Sequence, residues 1–178
     1  STLYYLEHAP DVRHAGINPF FHFVLYGNQE RRASQPFKRW LSGLQNLPTV
    51  TAIVPNYNHA RFLRQRIDSI LDQTYPNVEV LLLDDCSTDD SREVIQEYVD
   101  RYPDRVRAIL NEENAGNVFR QWRKGLEAAT GDLVWICESD DFCEPDFLDW
   151  LVPHFRDRSV QVAFGRIQFA TPEGDFQP

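Results

Sequence analysis

No methionine occurs in this sequence, and only 3 cysteines and 8 glycines do. A chain that opens on Ser1 and holds no methionine reads as a fragment excised from a longer protein. Cys86, Cys137 and Cys143 form no CxxC pair and have no metal-ligand spacing, which predicts free thiols and a reducing compartment. No apolar run approaches a membrane span, and no signal peptide opens the chain. Positive charge is scarce: 18 Lys and Arg stand against 27 Asp and Glu, a net charge of -9. Nucleic-acid binding needs a basic footprint, so that class is excluded. A nucleotide held through a metal bridge is not. The sequence also lacks GxxxxGK[ST], a GxGxxG after the first strand, and a GxSxG elbow. Those absences argue against a P-loop, a dinucleotide fold and an α/β-hydrolase.

What is present is enough for a core. The 178 residues are 42% hydrophobic and 13% aromatic, which fits one domain with an appendage. Residues 1–47 are aromatic-rich with scattered basic residues and predict a helical extension, ending in the linker "LQNLP". From Val50 the pattern turns regular. Strands are predicted over 50–55, 78–85, 106–111, 132–139 and 160–170. Helices are predicted over 60–74, 90–102, 118–130 and 145–157, the last beginning at Pro145. Along 60–74 the apolar side is Phe62, Ile67, Ile70 and Leu71. Such alternation means βαβ units: an α/β fold with a mainly parallel sheet and helices on both faces. The near-continuous apolar strands agree, since strands covered on both sides need no polar face. Ligands of such sheets bind outside the carboxyl ends of the strands. Three strand ends are polar, "PNYN" (55–58), "DDCSTDD" (84–90) and "ESDD" (138–141), and should share one rim.

That rim would gather Asp84, Asp85, Glu138, Asp140 and Asp141. A hard cation, Mg²⁺ or Mn²⁺, takes one or two carboxylates and completes its shell with water and substrate phosphate. Taken alone, "ESDD" is as readily a solvated loop. It gains weight from the buried strand before it and the second acidic strand end beside it. Thr88, Asp89 and Asp90 read as a turn and helix cap. Asp85 can accept an N–H from a base edge, which suits the imide of uracil. Tyr57 offers a flat face for a base. Arg120 and Arg123 stand near a helix start, where a guanidinium can meet a diphosphate, although Arg123 also fits a solvated helix face. Trp122 reads as core, and His59 and His154 as structural.

The run "VTAIVPNYNHARFLRQRIDSILDQTYPNVEVLLLDDCSTDDS", then "NAGN", then "GLEAATGDLVWICESDDF" resembles a family 2 inverting glycosyltransferase of the GT-A fold. The likeness covers about residues 48–170. It implies that "ESDD" holds the place of the family's DxD-type metal motif, with Glu138 where Asp is usual. It implies Glu138, Asp140 and Asp141 as metal ligands, and Asp140 also as a ribose–diphosphate contact. Asp85 becomes the base-contacting acid, Pro55 and Tyr57 the base-packing residues, and Arg120 a donor contact. "NAGNVFRQWRKGL" departs from the commoner family wording by one residue. The implied donor is a nucleotide sugar, expected as a UDP-sugar, with a glycan or lipid-linked acceptor in surface-polysaccharide synthesis. Residues 4–37, with "DVRHAGINPFFHFVLYGNQERR", resemble a small helical motif found beside glycosyltransferase domains of bacterial surface-polysaccharide proteins.

The resemblance also implies a catalytic base well downstream of the metal motif. The chain reaches only Pro178, so the expectation is a donor-binding domain over 48–178, cut short of that base. The expected setting is cytoplasmic, at the periphery of the inner membrane in the whole protein. Two rivals remain. A phosphoacceptor receiver would need its acid pair after the first strand and a Lys after a late one, and neither is here. A non-catalytic nucleotide-binding module would use the same rim without transfer.

Overall fold

The computed structural model describes residues 47–167, 169 and 171. The extension over 1–47, but for its last residue, lies outside them. The compact unit Leu47–Ala163 carries the fold. Strand β1 is Val50–Asn56, helix α1 Ala60–Leu71, β2 Val78–Asp84 and α2 Ser91–Arg101. Then come β3 Val106–Leu110, α3 Val118–Ala128, β4 Leu133–Ile136 and α4 Phe147–Leu151.

The four strands form one parallel sheet in the order β3-β2-β1-β4. All of β1 and nearly all of β2 are buried, because they are the two central strands. Period-two alternation sorts their side chains onto two faces. Ile53, Leu81 and Leu83 point to one, where they pack with Ile109, Ala128, Ala129 and Ile136 beneath α3. Ala52, Val54, Val80 and Leu82 take the other and are as fully buried; α1 packs on β2 and α2 on β2 and β3. The buried stripe of α1 is Leu63, Arg66, Ile67 and Ile70, one step round from the expected Phe62 and Leu71, which are half-buried.

Register brings the strand ends level. Asn56 pairs with Asp84, and Asp84 with Leu110. The ladders run on past the strands through Asp85 N–H to Asn56 O (2.9 Å), Asn111 N–H to Asp84 O (2.8 Å) and Cys137 N–H to Ile53 O (2.8 Å). The three polar segments therefore leave the sheet on one rim, as the sequence predicts.

Two elements differ from expectation. The helix expected over 145–157 is α-helical only to Leu151, then 3-10 over Val152–Arg156. Pro153 explains the break: it has no N–H to donate and its ring clashes with the turn before it. No strand forms over 160–167. Val162, Phe164 and Ile167 are exposed there, so the alternating pattern buries no face among the described residues.

Candidate functional site

Asn58 turns the chain out of β1 in the left-handed region, at φ 56°. Its Oδ1 accepts from Thr88 N–H (2.8 Å), and its own N–H donates to Ser87 Oγ (3.0 Å), tying the first polar segment to the second. Asp89 caps two helices at once, accepting from Ala60 N–H (2.9 Å) and Ser91 N–H (3.0 Å). Those contacts bear out the structural reading of Thr88 and Asp89. Asp90 precedes α2 without a side-chain cap.

Asp84 and Asp85 part ways. Asp84 is fully buried; its Oδ2 accepts from Arg92 Nε (2.9 Å) and Ser87 N–H (3.0 Å), and its Oδ1 from Asn56 Nδ2 (3.2 Å). Both oxygens are engaged within the protein, so Asp84 braces the rim and does not join a ligand set. Asp85 gathers three donors on Oδ1 alone: Gln121 Nε2 (2.6 Å), Asn111 Nδ2 (2.7 Å) and Ala115 N–H (2.8 Å). Among the described residues Oδ2 receives none. Asp85 lines a cleft of about 420 Å³, and Oδ2 is its available acceptor there.

One wall of that cleft is Pro55, Asn56 and Tyr57 from β1 and its exit, and Tyr57 is 47% exposed. Across from them stand Asn114, Gly116 and Gln121, from the "NAGN" loop and α3. Gly116 holds φ 65°, a conformation that suits a residue without Cβ. Asn117, Val118, Glu138, Ser139 and His59 complete the lining. Two buried acceptors of its lining residues, Asn56 Oδ1 and Gln121 Oε1, have no hydrogen-bond partner among the described residues. A larger depression of about 500 Å³ lies between the starts of α1 and α2, but Arg64 there pairs with Glu97 and Asp89 caps helices, leaving it without converging chemistry.

Glu138 is half-buried, and its Oε1 accepts from Trp122 Nε1 (3.0 Å). Trp122, read from sequence as core, is thus a partner of the acidic motif. Burial pushes the Glu138 carboxyl above its ordinary range, as do the charges of Asp140 and Asp141, against the Trp122 hydrogen bond. Beneath the motif lies a cation: buried Arg66, its guanidinium 5.1 Å from the Trp135 ring centroid. Asp140 and Asp141 stand exposed on the turn closed by Asp141 N–H to Glu138 O (3.2 Å), outside the cleft lining.

The three acids fit a metal of one kind and not another. No group of three or more His, Cys, Asp or Glu side chains converges as a cage among the described residues. Hard oxygen donors crowded on one turn are what Mg²⁺ or Mn²⁺ would relieve, if substrate phosphates supplied the rest of the shell. Arg120 lies outside the cleft lining; it is exposed, with Nη1 donating to Ala115 O (3.3 Å), and the buried α3 residue at the cleft is Gln121. Gln121 and His59 line the cleft, where sequence reasoning did not place them. Gln121 had a signal: with Gly125 and Ala128 it makes an i, i+4, i+7 stripe of small or uncharged side chains. The cysteines are free, as expected.

Comparison with known proteins agrees with this geometry. The family model for glycosyl transferase family 2 matches residues 51–178. The putative teichuronic acid biosynthesis glycosyltransferase TuaG of Bacillus subtilis (strain 168) is 32% identical over 127 residues, 71% of this chain and 50% of that protein. Glycosyltransferase GlyG of Streptococcus pneumoniae serotype 4 is 30% identical over 128 residues, 71% of this chain and 42% of that one. Among solved structures, the mannosyltransferase PcManGT from Pyrobaculum calidifontis, in complex with GDP-Man and Mn²⁺, is similar at TM-score 0.54 and 30% identity, over 64% of this chain and 36% of its own. TarS 1-349 of S. aureus in complex with UDP is similar at TM-score 0.55 and 28% identity, over 62% and 32%. The chain spans half or less of the length of each. The parallel sheet, the rim and the matched span together make this chain a member of glycosyl transferase family 2, with the GT-A fold.

Proposed function

We propose that this domain binds a nucleotide sugar, with a UDP-sugar as the expected donor, and that divalent metal strengthens the binding. The observation that carries this is the cleft itself. It joins an exposed aromatic face (Tyr57), an acceptor held by three donors (Asp85) and an acid whose pKa burial raises (Glu138). Tyr57 and Pro55 pack against the base. Asp85 Oδ2 accepts the imide N–H of uracil. Asp140 meets the ribose and diphosphate, and Arg120 swings a guanidinium to the diphosphate. Glu138, Asp140 and Asp141 are the candidate ligands of Mg²⁺ or Mn²⁺. When bound, the ion neutralises charge on the departing nucleoside diphosphate. Support comes from TarS, solved with UDP, and PcManGT, solved with GDP-Man and Mn²⁺.

For the whole protein the proposal is inverting transfer in one in-line displacement. A general base takes the proton of the acceptor hydroxyl as the sugar leaves its diphosphate. The acceptor is a glycan or lipid-linked glycan of the cell surface, and the setting is the cytoplasm beside the inner membrane. No helix among the described residues is long and apolar enough to cross a membrane.

Calorimetry of UDP with Mn²⁺ and with EDTA tests the donor reading. Metal should raise affinity about 10-fold or more, the worth of one charge-assisted contact, and Asp141→Ala should remove the difference. Equal affinity in the two buffers would overturn the metal role.

A further inference from the structure

His59 comes just after the left-handed turn at Asn58 and stands directly before α1, so its backbone is fixed by β1 on one side and a helix on the other. Its Nδ1 lies 2.8 Å from Ser139 Oγ, 80 residues along the chain and inside the acidic motif. Both residues line the cleft, as do Glu138, Tyr57 and Asp85.

The direction of that hydrogen bond can be argued. Ser139 is 3% exposed. A buried hydroxyl proton without an acceptor is costly. Among the described residues His59 Nδ1 is the partner of Oγ. A ring N–H donating to Oγ would leave the hydroxyl proton unplaced. The reverse satisfies both: Ser139 O–H donates, Nδ1 accepts, and the neutral ring carries its proton on Nε2. An edge-to-face contact with Phe62, centroids 6.0 Å apart, steadies the ring plane. Nε2–H makes no hydrogen bond among the described residues. It is a fixed, uncharged donor in a cleft that also offers the acceptor Asp85 Oδ2.

An uncharged N–H in the cleft that also holds Glu138 suits a ligand oxygen with lone pairs to share. The base end of the cleft is already supplied, so the oxygen belongs to the part of the nucleotide beyond its ribose. We propose that His59, held in its Nε2–H tautomer by Ser139, donates a hydrogen bond to a diphosphate oxygen of the bound nucleotide. This rests on the nucleotide-sugar reading above. His59 is then a binding residue and Ser139 the positioning residue behind it.

Two substitutions separate the ring nitrogens. His59→Gln places an amide N–H near Nε2, and His59→Asn places one near Nδ1 only. UDP and uridine affinities are measured by calorimetry with Mn²⁺ for wild type and both variants. His59→Asn should weaken UDP about 10- to 100-fold, as for a hydrogen bond to a charged group, and leave uridine unchanged. His59→Gln should recover most of the loss. Retained uridine binding shows that the variants are folded. Imidazole ¹⁵N shifts of the wild-type chain should place the neutral proton on Nε2, and Ser139→Ala should mix the two tautomers. If His59→Asn binds UDP as wild type does, if uridine weakens equally, or if the ring proton sits on Nδ1, the inference fails while nucleotide binding stands. Wild type failing to bind UDP at all would overturn both.

Discussion

Two adjacent aspartates, alike in sequence, have opposite work. Asp85→Asn keeps an oxygen where Asn111, Ala115 and Gln121 donate, because those three fix the amide's orientation. Its NH₂ then replaces Oδ2 and meets the imide N–H of uracil donor to donor. UDP should weaken about 10-fold or more, at roughly 1.5–3 kcal/mol, while ADP, with a ring acceptor on that edge, should lose less. Calorimetry with both nucleotides decides, and equal losses would move Asp85 to a bracing role. Asp84→Ala should do the reverse, sparing nucleotide preference and removing stability. It strips a buried carboxylate from Arg92, Ser87 and Asn56. Loss of one partner of a buried pair costs about 3–5 kcal/mol, and Arg92 is partly solvated, so roughly 2–4 kcal/mol is expected in urea unfolding. "DDCSTDD" could announce an acidic strand end but not this division. It depends on Arg92 from α2 and Gln121 from α3, which only folding brings to each side. The same holds for Arg120 and Gln121: one helical step of about 100° decides which reaches the cleft.

At the scale of elements, the central strands were readable because burial on both faces leaves an unbroken apolar run. Helix α3 was harder. Val118, Phe119 and Leu126 are exposed, and its inward face is Gln121 and Gly125. Gly125 shows why. A Cβ there would lie 2.4 Å from Ile53 Cγ2 and 3.0 Å from Leu83 Cδ1, both on fully buried side chains. The missing side chain lets the helix sit down on the sheet and carry Gln121 to Asp85. Gly→Ala in a helix interior ordinarily stabilises by about 1 kcal/mol. Here overpacking should outweigh that, and Gly125→Ala should destabilise by roughly 1–2 kcal/mol. A raised urea midpoint would show that α3 can lift away without loss. The strand expected over 160–170 does not form over the described 160–167, because alternation alone does not bury a face. Pro153, by contrast, was a visible stop inside an expected helix.

The acid excess acts on the whole molecule through its phenols. Tyr75, fully buried, donates its hydroxyl to Pro48 O (2.5 Å), joining the segment before β1 to the loop before β2. Burial first, then the charges of Asp132 and Asp149, push its pKa from 10.0 up to about 12. Tyr98 donates to Asp68 Oδ1 (2.7 Å) and joins α2 to α1; burial and that aspartate push it upward too. Burial does the same for the Cys137 thiol. In each case the fold holds a proton that the unfolded chain gives up more readily. A group raised in this way contributes stability in full below its unfolded pKa and loses it as pH climbs through the folded one. For Tyr75 the window runs from about 10 to about 12. The urea midpoint should therefore fall steadily across that interval. Tyr75→Phe should cost about 1 kcal/mol at neutral pH, for the lost hydrogen bond, yet flatten the alkaline decline. Midpoints followed from neutral pH into that window check both, and a wild-type profile that stays level through it would mean that these hydroxyls ionise without disturbing the sheet.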